Sequence, residues 1–220
     1  MSLTTWLISY YKLDENSWTT AFDSVGSNDW TINGATWTTG KIGSWLSFDW
    51  VNDNVENNWL TWLNNTVTVS LWTKIGSSQN SNATYIFSGR WTNARFYLYV
   101  AEWDFNARFW SGGNIQTWVP YNADQWYHYV WVADNWNYTV YLDWDIIDSW
   151  TYSGFIGSWD NGSPRFGSLI TEFFNWEIDE VWIWNRVLTQ VEVTELWNSW
   201  AWLQYPFTSE SSAWFLMRNF

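Results

Sequence analysis

The sequence predicts an all-β domain, two antiparallel sheets packed face to face, with one short helix near the C-terminal end. Apolar and polar residues alternate with period two over a series of short segments, as half-buried strands require. Turn-forming residues and all three prolines, Pro120, Pro164 and Pro206, fall between those segments. Apolar residues recur at helical spacing only once, late in the chain.

The strand-like segments run over residues 7–13, 66–75, 84–88, 95–101, 126–133, 138–143 and 177–184. In the second, Val67, Val69 and Leu71 alternate with Thr66, Thr68 and Ser70, and in the fifth Tyr127 and Tyr129 alternate with His128 and Val130. Asp143-Trp144 follows Leu142 and precedes Asp145-Ile-Ile147, where a two-residue hairpin turn calls for Asp-Gly. The helix is announced by Thr189-Gln190-Val191-Glu192, a capping box in which the Thr hydroxyl and the Glu carboxylate each serve a backbone N–H of the first turn. Val193, Leu196, Trp197 and Trp200 then recur on one face, and that stripe is expected to pack on the sandwich. No linker or internal repeat divides the chain, so residues 1–207 are expected to be one domain and 208–220 a short tail of Ser, Glu and aromatics.

Composition removes whole classes of chemistry. With no Cys among 220 residues there is no disulfide framework, thiolate metal site or thiol nucleophile, and the single His128 excludes a multi-histidine zinc. Nine Lys and Arg scattered among 22 Asp and Glu form no basic stripe, which argues against nucleic acid as a partner. No run approaches the about 18 apolar residues of a membrane span. The opening Met1-Ser2-Leu3-Thr4-Thr5 lacks the basic and apolar regions of a signal peptide.

Tryptophan is the anomaly, with 26 copies against 12 glycines. Eleven follow Asp, Asn or Ser directly: Trp18, Trp30, Trp45, Trp50, Trp59, Trp136, Trp144, Trp150, Trp159, Trp176 and Trp200. Those are turn contexts, where a non-glycine residue held left-handed costs about 1–2 kcal/mol. By contrast, Trp37, Trp72, Trp126, Trp184 and Trp197 sit inside apolar or strand patterns. One reading is that UGA codons for glycine stand here as Trp. The other is an authentic Trp-rich adhesive surface, and the codons at Trp50, Trp144 and Trp176 decide between them.

With glycine at those turns, a set of stretches stands out in order along the chain: Tyr10-Tyr-Lys-Leu-Asp-Glu15, Ala21-Phe-Asp-Ser24, Ser47-Phe-Asp49 with Val51-Asn-Asp53, Val69-Ser-Leu-Trp-Thr-Lys74, Gln125-Trp-Tyr-His128, Ile178-Asp-Glu-Val181 and Trp184-Asn-Arg186. Through them the span from Leu7 to Phe207 resembles the laminin-G-like, concanavalin A-like lectin/glucanase domains, which are two-sheet antiparallel jelly-roll sandwiches. The chain departs from the family at Trp50, Trp144, Trp176 and Trp202, where glycine is usual. The resemblance implies a structural calcium tying the loop after the first strand to the strand near the C-terminus, with Asp23, Asn28 and Asp179 as ligands and Asp14 as a further candidate. Hard oxygen donors of this kind suit Ca²⁺. The alternative for the same residues is that Asp23 and Asn28 form turns and Asp179 is a buried, hydrogen-bonded acid.

The family includes glycoside hydrolases, so the resemblance makes Glu177, Asp179 and Glu180 candidates from which a catalytic pair could come. Retaining hydrolases hold two carboxylates about 5–5.5 Å apart on one face. Here Glu177 and Asp179 share a face, the next residue on it is Val181, and Glu180 points the other way, so an in-strand pair fails. His128, beside Trp126, reads as a packed histidine rather than a base. Tyr97, Tyr99 and Tyr121 are candidate platforms for a sugar ring. The expected function is a non-catalytic carbohydrate- or glycan-binding adhesion module, extracellular or virion-associated. The alternative is a phage virion protein, since Met1-Ser-Leu-Thr-Thr running straight into the first strand looks like the openings of phage structural proteins with this domain. A weak glycoside hydrolase comes third.

Overall fold

The computed structural model describes residues 2–17, 19–39, 43–57, 66–77, 84–91, 94–101, 104–109, 113–135, 137–151, 165–169 and 172–197. The strands are β1 (Leu7–Tyr11), β2 (Thr20–Ala21), β3 (Trp30–Asn33), β4 (Thr36–Thr39), β5 (Ser44–Asp49), β6 (Asn54–Glu56), β7 (Thr66–Ile75), β8 (Thr84–Trp91) and β9 (Ala94–Ala101). They continue with β10 (Asp104–Phe109), β11 (Gly113–Pro120), β12 (Gln125–Asp134), β13 (Asn137–Leu142), β14 (Asp145–Thr151), β15 (Arg165–Phe166), β16 (Ser168–Leu169), β17 (Glu172–Phe173) and β18 (Asn175–Trp184), and one helix follows, α1 (Gln190–Trp197).

The first sheet has eight strands, ordered β14-β13-β12-β7-β18-β5-β4, with β1 paired to β18 alongside. The second, also eight-stranded, runs β11-β10-β9-β8-β15-β6-β3-β2, and β16-β17 form a small ribbon. Pairing is antiparallel, as in β7 with β12 and β9 with β10. This is the expected jelly-roll sandwich. The main core lies between the sheets, where Val67, Val69, Leu71, Tyr129 and Trp131 of the first meet Leu98, Val100, Phe105 and Ala107 of the second. Side chains of this size contribute about 1.5–3 kcal/mol each when fully buried.

The central strands of the first sheet are buried on both faces, and here alternation misleads. Thr68 and Ser70, expected on the solvent side, are buried. A second apolar layer covers that face: Tyr10, Val130, Val132, Trp182 and Trp184 pack under Leu3, Leu188, Val193 and Leu196. Thr68 tolerates burial because its hydroxyl donates to the Arg186 carbonyl at 2.8 Å and accepts from the Leu188 N–H at 3.1 Å.

The helix starts as its capping box dictates. The Glu192 N–H donates to Thr189 Oγ1 at 3.3 Å and the Thr189 N–H donates to Glu192 Oε2 at 2.8 Å. Val193 and Leu196 lie in the second apolar layer, so the stripe packs on the sandwich, while Trp200 falls outside the described residues. Arg186 clasps this corner together. Its guanidinium meets Glu192 Oε1 at 2.8 Å, and it donates to the carbonyls of Thr5 at 2.8 Å and Ser2 at 3.2 Å. Burial pushes the Glu192 carboxyl up, but the hydrogen bonds from Arg186 and Thr189 outweigh it and hold its pKa below the usual value.

Four tryptophans expected in turns are in strands, among them Trp176, in β18 opposite Phe48. Trp30 lies in β3, buried and stacked on Phe166 with ring centroids 4.3 Å apart; Trp45 lies in β5, 4.7 Å from Trp126; and Trp150 lies in β14 beside Tyr138. A preceding Asp or Ser serves a strand's first residues as readily as a turn. Trp50 does sit in a turn, with a φ of 74°. In the β13–β14 hairpin the left-handed residue is Asp143, at φ 59°, rather than Trp144. Trp18, Trp59, Trp136, Trp159, Trp202, the domain end at 207 and the tail 208–220 lie outside the described residues. Among those described, no helix is long and apolar enough to cross a membrane.

Candidate functional site

The loop after β1 is organised by Asp23. Its Oδ1 accepts the backbone N–H groups of Tyr10 and Val25, both at 3.0 Å, and its Oδ2 accepts from Asn28 N at 3.2 Å and Asn28 Nδ2 at 3.3 Å. A carboxylate has about four lone-pair positions, and these four donors fill them. Asn28 also donates from Nδ2 to Ser9 Oγ at 2.9 Å. Asp23 and Asn28 are therefore brought together, as a closed loop that pins the chain to β1.

Asp179 keeps different company. It lies in β18, fully buried at 0% exposure, near Asp14, Glu15 and Glu180. Its Oδ1 accepts the Glu180 N–H at 2.9 Å, and its Oδ2 has no hydrogen-bond partner. Burial, then the Glu180 charge, then Asp14 and Glu15 push its pKa well above the usual carboxylate value. Glu15 Oε1 accepts the Phe22 N–H at 2.8 Å, while Oε2 is buried without a partner. Burial is the main cause that raises Glu15 as well. Asp14 Oδ1 accepts the Ser44 N–H at 2.8 Å. Gly43, at φ 67°, lets Asp14 approach: a Cβ there would stand 1.8 Å from Asp14 Oδ1. Two orphaned carboxylate oxygens within one acidic neighbourhood match the oxygen donors that Ca²⁺ prefers. Among the described residues, however, no three His, Cys, Asp or Glu side chains form a group able to hold a metal ion, so backbone carbonyls or water would have to complete any such site.

The expected alternation along β18 is broken by a bulge. The register passes from Asp179 opposite Trp72 to Trp182 opposite Ser70, and Glu180 takes a left-handed φ of 49°. Glu180 is thereby buried beside Asp179, on none of the expected outward face, and Tyr10 donates its hydroxyl to Glu180 Oε2. Glu177 instead pairs with Lys74 at 2.6 Å, and the Lys74 ammonium lies 5.4 Å from the Trp45 ring and 5.7 Å from that of Trp126. The three acids thus go to three environments: an ion pair, an orphaned buried carboxyl and a tyrosine hydrogen bond.

His128 is buried, with its ring over Trp72 at 5.1 Å. Nδ1 lies 3.3 Å from the Asp143 carbonyl and Nε2 2.7 Å from Ser70 Oγ. A carbonyl only accepts, so Nδ1 carries the proton and Nε2 takes the serine hydroxyl. Burial pushes its pKa down to about 3, with the Asp143 backbone bond opposing. It is a packed, neutral histidine.

Among the tyrosines, Tyr97 and Tyr99 group with Ala101 apart from the main core, whereas the intervening Leu98 and Val100 lie within it. Alternation therefore turns Tyr97 and Tyr99 to the outer face of the second sheet, although only 2% and 6% of their surfaces are exposed. Asn106, opposite Tyr99, is held by its side-chain amide on the Asp104 carbonyl at 2.8 Å. Tyr121 is not part of this group: it packs edge-on against Phe105 at 5.9 Å in the core, and burial pushes its pKa up to about 12. Glu15 is the residue that sequence reasoning did not single out, and Glu180 is one that it put on the opposite face of the strand from Asp179. The acidic pair Asp14-Glu15 directly after the first strand is the signal that points to the first.

A family model described as the concanavalin A-like lectin/glucanases superfamily matches residues 47–194. Domain 4 of AbnA, a GH43 extracellular arabinanase from Geobacillus stearothermophilus, solved in complex with arabinotriose, is 26% identical, with a TM-score of 0.70 over 86% of this chain and 97% of that one. The binding domain of Paraclostridial Mosquitocidal Protein 1 is 15% identical with a TM-score of 0.73, covering 90% of this chain and 53% of that one. Trypanosoma rangeli sialidase is 13% identical with a TM-score of 0.66, and this chain, 88% covered, spans 33% of its length. No curated protein matches the chain.

Proposed function

The chain belongs to the concanavalin A-like lectin/glucanase superfamily, and from that premise we propose that it is a non-catalytic carbohydrate-binding module. The observation that carries the proposal is the near-complete match to domain 4 of AbnA, a domain solved with an arabinose trisaccharide. Among the described residues the outer face of the first sheet is covered by α1 and the N-terminal segment. Tyr97, Tyr99 and Asn106 on the second sheet are buried as well, so they are not offered as the contact surface. The engagement of Glu177, Asp179 and Glu180 in separate structural roles favours binding over hydrolysis. Calorimetric titration with arabinotriose, alongside an array of sialylated and other glycans, tests the reading. Binding in the micromolar to millimolar range is expected. No sugar bound with or without Ca²⁺ refutes it.

The proposed cofactor is a structural calcium held by Asp179 and Glu15 with Asp14 near, rather than by Asp23 with Asn28, because the loop's own donors already occupy both oxygens of Asp23. Calcium would supply no chemistry; it would neutralise the buried carboxylates and lock the loop after β1 to β18. Display on a cell surface or a virion suits the same role, and neighbouring genes for capsid and tail or for secretion separate the two. The proposal also reads the tryptophans at turn positions as glycines decoded from UGA, so Trp144, although exposed, is not offered as a sugar platform.

A further inference from the structure

We infer that Trp6 and Trp50 occupy glycine positions, and that the native chain carries glycine at both. The inference rests on the UGA reading and is independent of the carbohydrate one. Trp6 follows Thr5, so its sequence context gave no turn signal, but its φ is 57°. Trp50 has a φ of 74°. In this region a Cβ crowds the following carbonyl, and Trp is among the bulkiest side chains to place there.

Most other left-handed residues have a reason to be so. Asn16, Asp124, Asn135 and Asp143 are of the types that tolerate the conformation, and Gly34, Gly43 and Gly167 adopt it freely. Leu13 is buried in the core, and Glu180 is held by Tyr10. Trp6 has no such compensation, for 67% of it is exposed to solvent. Nor does the backbone have room to relax. The Trp6 carbonyl accepts the Asn185 N–H at 2.9 Å, the preceding Thr5 carbonyl is gripped by Arg186 at 2.8 Å, and the Trp50 N–H donates to the Phe174 carbonyl at 3.2 Å. The fold fixes the dihedral angle, and glycine is the residue that meets it without strain.

The rival reading is that Trp6 is an indole held rigidly outward as a ligand anchor, a use to which strained residues are put. The experiment is tandem mass spectrometry of peptides spanning residues 2–12 and 44–54 from the protein purified from its own organism, with the codons read from its gene. Trp72 and Trp184 are internal controls, since the first stacks on His128 and the second donates its indole N–H to the Leu3 carbonyl at 2.7 Å. Glycine masses and UGA codons at 6 and 50, with tryptophan and UGG at 72 and 184, are expected. Tryptophan at position 6 or 50 in the native protein overturns the inference for that position. If sugar binding fails while both positions prove to be glycine, only the carbohydrate reading falls.

Discussion

Replacing Asp179 by Asn should raise stability in the absence of calcium and abolish any response to it. Asp179 is fully buried, has one satisfied oxygen and one orphaned, and has Asp14, Glu15 and Glu180 for neighbours. Its folded pKa stands well above the reference of 3.8. Below that reference both folded and unfolded states hold the proton, and the group costs nothing. As pH rises, the unfolded chain releases its proton first, so stability falls until the folded pKa has been passed. An orphaned buried polar group costs about 1–3 kcal/mol, more if charged. The neutral amide removes the charge and supplies two donors to surrounding carboxylates. For a domain of this size each kcal/mol moves Tm by about 2–4 °C, so the variant should melt about 2–12 °C higher at pH 8 in EDTA and equal to the parent near pH 3.5. The assay is thermal melting followed by circular dichroism from pH 3.5 to 8, with EDTA or millimolar CaCl₂. Calcium at 100 times its Kd should stabilise the parent by about 2.7 kcal/mol and the variant not at all. A variant that melts below the parent in EDTA at pH 8 refutes the reasoning, because the carboxylate would then be a net stabilising group.

Trp50→Gly should gain about 0.5–1 kcal/mol, the relief of the left-handed strain less the entropy cost of glycine, read as a rise of about 1–4 °C in Tm. Gly43→Ala should be destabilising, since its Cβ would collide with Asp14 Oδ1 at a φ of 67°; a melt no lower than the parent's contradicts that account. Arg186→Met leaves Glu192 buried without its cation and should cost about 3–5 kcal/mol, with hydrogen exchange accelerated in residues 2–5 and in α1 ahead of the central strands. The His128 ring protons should show no titration between pH 5 and 8 in NMR spectra, because burial holds its pKa near about 3; an inflection in that range means that the ring is solvated.

The centre of the fold was legible because its strands are long. Residues 66–75 coincide with β7, and the predicted segments at 126–133 and 177–184 lie within β12 and β18. Between residues 20 and 56 the strands span two to six residues, too few for a period of two to declare itself, and the tryptophans obscure their turns. Alternation predicted half-buried strands; it does not reveal that α1 and the N-terminal segment cover the other face, which is why Thr68 and Ser70 were misplaced. At the candidate site the residue types were readable and their grouping was not. The bulge after Asp179 moves Glu180 from the surface to the interior, and a one-residue irregularity of that kind leaves no mark in composition. Likewise nothing in the spacing of Asp14, Asp23 and Asp179 tells which of the first two faces the third.

The Arg186 clasp has a mechanical consequence. It binds the carbonyls of Ser2 and Thr5 to Glu192 of the helix, while β1 runs antiparallel to β18 from Leu7 opposite Trp184. A tether attached before residue 2 would pull on Arg186 before it reached β1, because the carbonyls of Ser2 and Thr5 both end on that guanidinium. The same guanidinium holds Glu192, so the first contact to yield under such a pull would also free α1 from the N-terminal segment.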